Sequence, residues 1–161
     1  LRVTSRPGEG ATFSMYLPAS EEVVPAGHRL RSLSPGGGSR VLVMDDEADV
    51  RDSLGEILVI LGYKVDFAED GDKAVKLFKK AQKGGSPYAI AILDLTVPGG
   101  MGGIETIKKL RETDPGVRAI ASSGYIDAKL TSGLAAYGFR GFLVKPYSLE
   151  DLNSMLNEIR K

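Results

Sequence analysis

Val41-Leu42-Val43-Met44-Asp45-Asp46 decides the fold: an unbroken apolar run stops abruptly at two carboxylates. The same arrangement recurs at Ile90-Ala91-Ile92-Leu93-Asp94 and, ending on a base, at Phe142-Leu143-Val144-Lys145-Pro146. A short apolar run bounded by turn signals predicts a strand buried on both faces. In open parallel sheets, ligands bind where the carboxyl ends of such strands emerge. As neighbours in one sheet, the three runs would bring Asp45, Asp46, Asp94 and Lys145 to one spot. Three carboxylates and an ammonium suit a hard divalent cation and a phosphoryl group, and they point to phosphoryl transfer onto an aspartate.

Working outward, helical periods alternate with further strands. Strands are expected at 40–44, 64–68, 89–93, 117–122 and 141–144, and helices at 48–61, 72–82, 104–113, 128–137 and 149–160. In the first helix Val50, Leu54, Ile57, Leu58 and Leu61 form one stripe, and Gly62 supplies a left-handed stop. In the second, Ala74, Val75, Leu77 and Phe78 face inward ahead of Gly84-Gly85. Ser148, followed by Glu150-Asp151, is an N-cap with acids in the first turn. Five strand–helix units with short connections predict an α/β fold with a doubly wound parallel sheet.

From residue 40 to 161 the chain resembles the receiver domain of two-component response regulators. The resemblance rests on Asp45-Asp46, on Asp94 in Leu93-Asp94-Leu95-Thr96-Val97-Pro98, on Ser122 in Ala121-Ser122-Ser123-Gly124-Tyr125, and on Lys145-Pro146. It implies a flavodoxin-like (βα)5 sheet of strand order 2-1-3-4-5. It further implies a phosphoacceptor in a phosphorelay, taking its phosphoryl group from a histidine kinase or histidine phosphotransfer domain and slowly dephosphorylating itself.

Two adjacent carboxylates facing a third repel one another unless a cation lies between them. Mg²⁺ takes oxygen ligands, keeps several waters and uses one or two carboxylates. The resemblance makes Asp46 and Asp94 direct ligands, gives Asp45 a role through water, and adds the backbone carbonyl of Thr96. Asp45-Asp46-Glu47 would also suit a helix N-terminus, and both readings hold together. Asp94 is the candidate nucleophile, and Lys145 is the candidate partner of the phosphoryl oxygens. Proline after Lys145 suggests a rigid, cis turn that aims the ammonium inward. Ser122 supplies a hydroxyl for a phosphoryl oxygen, with Ser123 as the alternative. Phe142 occupies the position of the family's aromatic switch, coupled to Ser122, although an aromatic in a strand is equally a core residue. Val97-Pro98-Gly99-Gly100-Met101-Gly102-Gly103 is expected to be a mobile loop, one residue longer than the commonest family form.

Residues 1–18 read as a hairpin: a strand near 1–5, a turn through Pro7-Gly8-Glu9-Gly10, and a half-buried strand at 12–17 carrying Phe13, Met15 and Leu17. The hairpin resembles the end of a histidine-kinase ATP-binding domain through Ser5, Pro7, Gly8, Gly10, Phe13, Leu17 and Pro18. This implies the C-terminal receiver of a hybrid sensor kinase, without the upstream asparagine and glycine boxes that bind ATP. A hairpin alone is marginal, so it is expected to be disordered or to pack opportunistically. Residues 19–39, rich in Pro and Gly, read as a flexible linker. His28 in that linker lacks a helical setting and is a bystander.

Lys+Arg and Asp+Glu are 21 each in 161 residues, so no electrostatic grip on nucleic acid or on an anionic membrane is expected. There is no Cys, which excludes disulfides and thiolate metal sites. With no signal segment or span in view, the chain is expected to be soluble and cytoplasmic. No helix-turn-helix follows the receiver pattern, so output is expected through partner binding or onward phosphotransfer. Two competing readings are a receiver-like module that only binds partners and a Mg²⁺-dependent aspartyl phosphatase. The phosphatase class carries a second aspartate two residues after its nucleophile, where this chain has Thr96.

Overall fold

The computed structural model describes residues 1–8, 10–16, 36–124 and 128–160. Leu17, Pro18, His28, most of the expected linker and Tyr125 lie outside the described residues. The chain divides into two compact units, Leu1–Ser32 and Leu33–Lys161.

In the first unit, β1 (Arg2–Arg6) and β2 (Gly10–Ser14) pair antiparallel around a loop in which Gly8 has φ 81°. The second strand begins and ends earlier than the sequence pattern suggested. Val3 stands opposite Phe13 and Ser5 opposite Ala11, while Arg2, Thr4, Thr12 and Ser14 line the other face. The ribbon thus has one apolar and one polar face. Phe13 and Met15 are 69% and 68% exposed rather than half-buried, because a two-stranded ribbon has no second layer to cover them.

The second unit contains β3 (Arg40–Met44), α1 (Ala48–Ile60), β4 (Lys64–Ala68), α2 (Gly71–Lys83), β5 (Ile90–Asp94), α3 (Gly103–Thr113), β6 (Ala119–Ser123), α4 (Ala128–Tyr137), β7 (Phe139–Val144) and α5 (Leu149–Arg160). Its strands form one parallel sheet in the order β4-β3-β5-β6-β7, which is 2-1-3-4-5 counted from β3. Alternation along each strand divides the core into two layers. Leu42, Met44, Ala91, Leu93, Ala119 and Ala121 meet Phe78, Ile107 and Leu110 of α2 and α3. Val41, Val43, Ile90, Ile92 and Ile120 meet Leu54 and Leu58 of α1 and Leu152, Leu156 and Ile159 of α5. Near-continuous apolar strands therefore follow from helices on both faces.

The caps obey local chemistry. Asp70 accepts from Lys73 N at 2.8 Å to open α2. Ser148 and Asp151 cap α5 reciprocally, Ser148 Oγ accepting from Asp151 N and Ser148 N donating to Asp151 Oδ2, each at 3.1 Å. At the end of α1, Gly62 adopts φ 80° while Tyr63 N donates to Leu58 O at 3.0 Å, a Schellman closure. Residues 36–39 are not linker. Gly36 N donates to Leu61 O at 2.7 Å, Gly38 N donates to Gly62 O at 3.0 Å, and a Cβ on Gly36 would lie 2.6 Å from the Tyr63 ring. The receiver unit thus starts before the boundary read from composition.

Candidate functional site

Asp45 and Asp94 sit at the carboxyl ends of β3 and β5, which are adjacent and parallel. Asp46 follows in the turn into α1, and Lys145 follows β7. Carboxylate oxygens of Asp45, Asp46 and Asp94 all lie within 4.8 Å of one another. Lys145 Nζ is 2.6 Å from Asp45 Oδ2, 3.0 Å from Asp94 Oδ2 and 3.7 Å from Glu47 Oε1. The three apolar runs therefore deliver their terminal charges to one place.

Burial sharpens these interactions. Asp45 and Asp94 are 2% and 5% exposed, while Asp46 is open to solvent. Burial pushes the Asp94 carboxyl above its ordinary value; Lys145 opposes that shift and Asp45 adds to it. Burial alone would lower Lys145, but its hydrogen bonds to Asp45 and Asp94 prevail and hold the ammonium above its ordinary value. One cation thus serves two buried acids and leaves the cluster with surplus negative charge. The donor set is all carboxylate oxygen, the chemistry that Mg²⁺ selects, so the residues present fit that ion.

The remaining oxygens are spoken for by backbone. Asp45 Oδ1 accepts from Glu47 N at 3.1 Å, and Asp94 Oδ1 accepts from Thr96 N at 3.3 Å. Arg51 donates through one guanidinium nitrogen to the carbonyls of Asp45, at 2.7 Å, and Asp46, at 2.9 Å. It fixes the acidic turn from the next turn of α1. Sequence reading missed Arg51; its only signal is a base placed five residues after an acidic pair.

The glycine loop departs from expectation. Met101 is buried, and Gly71 N donates to Met101 O at 2.9 Å. Cβ atoms added at Gly102 and Gly103 would stand 2.5 Å from Leu95 O and 2.7 Å from Asp94 O. These glycines permit close approach of backbone to the end of β5 rather than loop freedom.

Ser122 and Phe142, read from sequence as a switch pair, stand on opposite faces of the sheet. Phe142 is half-buried and packs with Ala121 and the α2–α3 layer. Ser122 turns to the α1–α5 layer, where its hydroxyl lies 2.8 Å from the phenol oxygen of Tyr147. Strand alternation gives Phe142's face to Ala121 and Ser123. The Lys145–Pro146 peptide bond is cis, as the sequence pair suggested. Tyr147 is half-buried, and burial holds its phenol above the ordinary value against the opposing hydrogen bond to Ser122.

A family model for the response regulator receiver domain matches residues 41–157. The chain is 31% identical over 125 residues to the chemotaxis protein CheY of Thermotoga maritima, covering 77% of this chain and 99% of that protein. It is 30% identical over 164 residues to the sensor kinase CckA of Brucella abortus, covering 96% of this chain and 17% of the kinase. The CheX-CheY-BeF3-Mg complex of Borrelia burgdorferi matches with a TM-score of 0.71 and 27% identity, covering 76% of this chain and 90% of that one. The chain belongs to the response regulator receiver domain family, whose members bind Mg²⁺ at an acidic pocket of this kind. Among the described residues no helix is long and apolar enough to cross a membrane.

Proposed function

We propose that residues 36–161 are a working phosphoacceptor, with Asp94 as the residue phosphorylated. The observation that carries this reading is Lys145 Nζ bridging Asp94 and Asp45 beside Asp46, all at strand ends. One Asp94 oxygen forms the new O–P bond as the N–P bond of a donor phosphohistidine breaks, and the electron pair returns to the donor's imidazole nitrogen. Lys145 holds a phosphoryl oxygen as a point charge. Asp46, Asp94 and the Thr96 carbonyl would hold Mg²⁺, with Asp45 acting through water, the ligand set that the family resemblance implies. Bound there, Mg²⁺ would supply charge neutralisation at the transferring group. In a separate step, a water oxygen attacks phosphorus, the O–P bond to Asp94 breaks with its electron pair returning to the carboxylate, and phosphate is released. Ser123, on the face of Phe142, is the better placed hydroxyl for a phosphoryl oxygen, and Phe142 with the α4–β7–α5 face is the readout.

The N-terminal ribbon is proposed as the end of a kinase ATP-binding domain, residues 1–18, joined by a linker to the receiver of a hybrid sensor kinase. Alignment with the sensor kinase over 96% of this chain, and the one-sided apolar ribbon, support that placement. The donor would then be a kinase or phosphotransfer histidine in the cytoplasm. Incubation with Mg²⁺ and a small acyl phosphate, followed by intact mass, should show one added phosphoryl group that is lost in Asp94→Asn. An unchanged mass in the wild-type chain would instead identify a receiver-like module that only binds partners.

A further inference from the structure

Lys145 can bridge two carboxylates only if the turn that carries it is held still. Two bonds from the end of β6 do this. Lys145 N donates to Ser123 O at 2.9 Å, and two residues on, the Tyr147 hydroxyl meets Ser122 Oγ at 2.8 Å. Ser122 is 1% exposed and stands beside Asp94 in the strand register, with Leu95 N donating to its carbonyl at 2.9 Å. The Tyr147 ring packs on the α1–α5 layer, so ring and hydroxyl have separable roles. Immediately after it, Ser148 caps α5.

We infer that Tyr147 is a positioning residue for Lys145: its hydroxyl, bonded to Ser122, pins the turn after β7 to the strand next to Asp94. This rests on the phosphoacceptor reading above. The bond restricts where the ammonium can go, and a misplaced cation costs transfer rate because the chemistry depends on positioning. The same bond links a change at Asp94, through Lys145 and the turn, to the N-terminus of α5. Ser122 thus serves the site through Tyr147 and leaves the phosphoryl contact to its neighbour.

Tyr147→Phe keeps the ring and deletes only the oxygen. In the full, unphosphorylated chain, the ¹⁵N signal of the Lys145 ammonium, assigned by its absence in Lys145→Met, should be sharp in wild type. In Tyr147→Phe it should broaden or shift. Phosphorylation by a small acyl phosphate with Mg²⁺ should slow about 3- to 10-fold in Tyr147→Phe, the rate equivalent of one hydrogen bond. Ser122→Ala should slow it equally, the double variant no further, and Ser122→Thr should restore it. An unaltered ammonium signal and rate in Tyr147→Phe would overturn the inference, as would single losses that multiply in the double variant. A wild-type chain that takes no phosphoryl group would sink the phosphoacceptor reading, while the ammonium signal would still decide this one.

Discussion

Replacing Lys145 by methionine, similar in length but uncharged, removes the only ammonium between Asp45 and Asp94 among the described residues. The three side chains are 13%, 2% and 6% exposed, so two carboxylates would remain buried without a cation. Breaking a buried ion pair from one side costs about 3–5 kcal/mol. Solvent reaching the cluster past exposed Asp46 favours the lower end, about 3 kcal/mol. For a unit of this size that is a fall in melting temperature of roughly 10–15 °C. Mg²⁺ supplies the missing positive charge, and ligand at 100 times its dissociation constant adds about 2.7 kcal/mol. Because the variant's carboxylates repel one another more strongly, it should bind Mg²⁺ at least as tightly as wild type. Melting followed by circular dichroism, with and without Mg²⁺, should therefore show a large deficit in chelator that narrows on adding the ion. A deficit under about 3 °C in chelator would mean that Lys145 is not the countercharge the distances imply. A Mg²⁺ response larger in wild type than in the variant would refute the repulsion argument.

Asp46→Ala should weaken Mg²⁺ binding and phosphorylation together, read by titration and intact mass, since it deletes one of three clustered carboxylates. A chain starting at Gly36 should melt several degrees above one starting at Arg40. The shorter chain loses three backbone hydrogen bonds to the α1–β4 segment (Gly36 N to Leu61 O, Gly38 N to Gly62 O, Lys64 N to Ser39 O), worth about 1 kcal/mol each, and the Gly36 contact with Tyr63. Burial, with Asp66 adding and Arg40 opposing, pushes the Tyr88 phenol up to about 12. Unfolded tyrosine ionises near about 10, so the folded state holds the extra proton between those values. The stability Tyr88 contributes is full below about pH 10 and is lost as pH rises toward 12. Urea melts at stepped alkaline pH should show wild type losing more than Tyr88→Phe over that window, and parallel losses would exclude the effect.

The strands and the charges at their ends were legible because both obey short-range rules. A strand covered by helices on both faces must be apolar throughout, so Val41 to Met44 and Ile90 to Leu93 announce themselves, and the first charge after each marks the sheet's edge. Topology then brings the charges together without any further instruction in the sequence. The caps at Asp70 and Ser148 were equally local. Boundaries were less so. Glycines at 36–38 look like linker in composition, yet Gly36 is demanded by the ring of Tyr63, the residue just before β4, which one-dimensional reading cannot see.

The parts of the site that escaped the sequence are those defined by a contact between distant segments. Tyr147 carries no pattern of its own; it matters because parallel pairing of β6 with β7 sets Ser122 within 2.8 Å of its hydroxyl. The same pairing separates Ser122 from Phe142, since adjacent strand residues point to opposite faces and Phe142 shares its side with Ala121 and Ser123. A motif match one residue wide does not distinguish Ser122 from Ser123, whereas the sheet's period of two puts their side chains on opposite faces. The glycine loop follows the same logic. Composition registers the angles that glycine permits, but at Gly102 and Gly103 the missing Cβ matters more. The backbone carbonyls of Leu95 and Asp94 occupy that space, so the loop is bound to the strand that carries the aspartate. Alanine at Gly103 would press on Asp94 itself, which makes the loop part of the site and not merely its border.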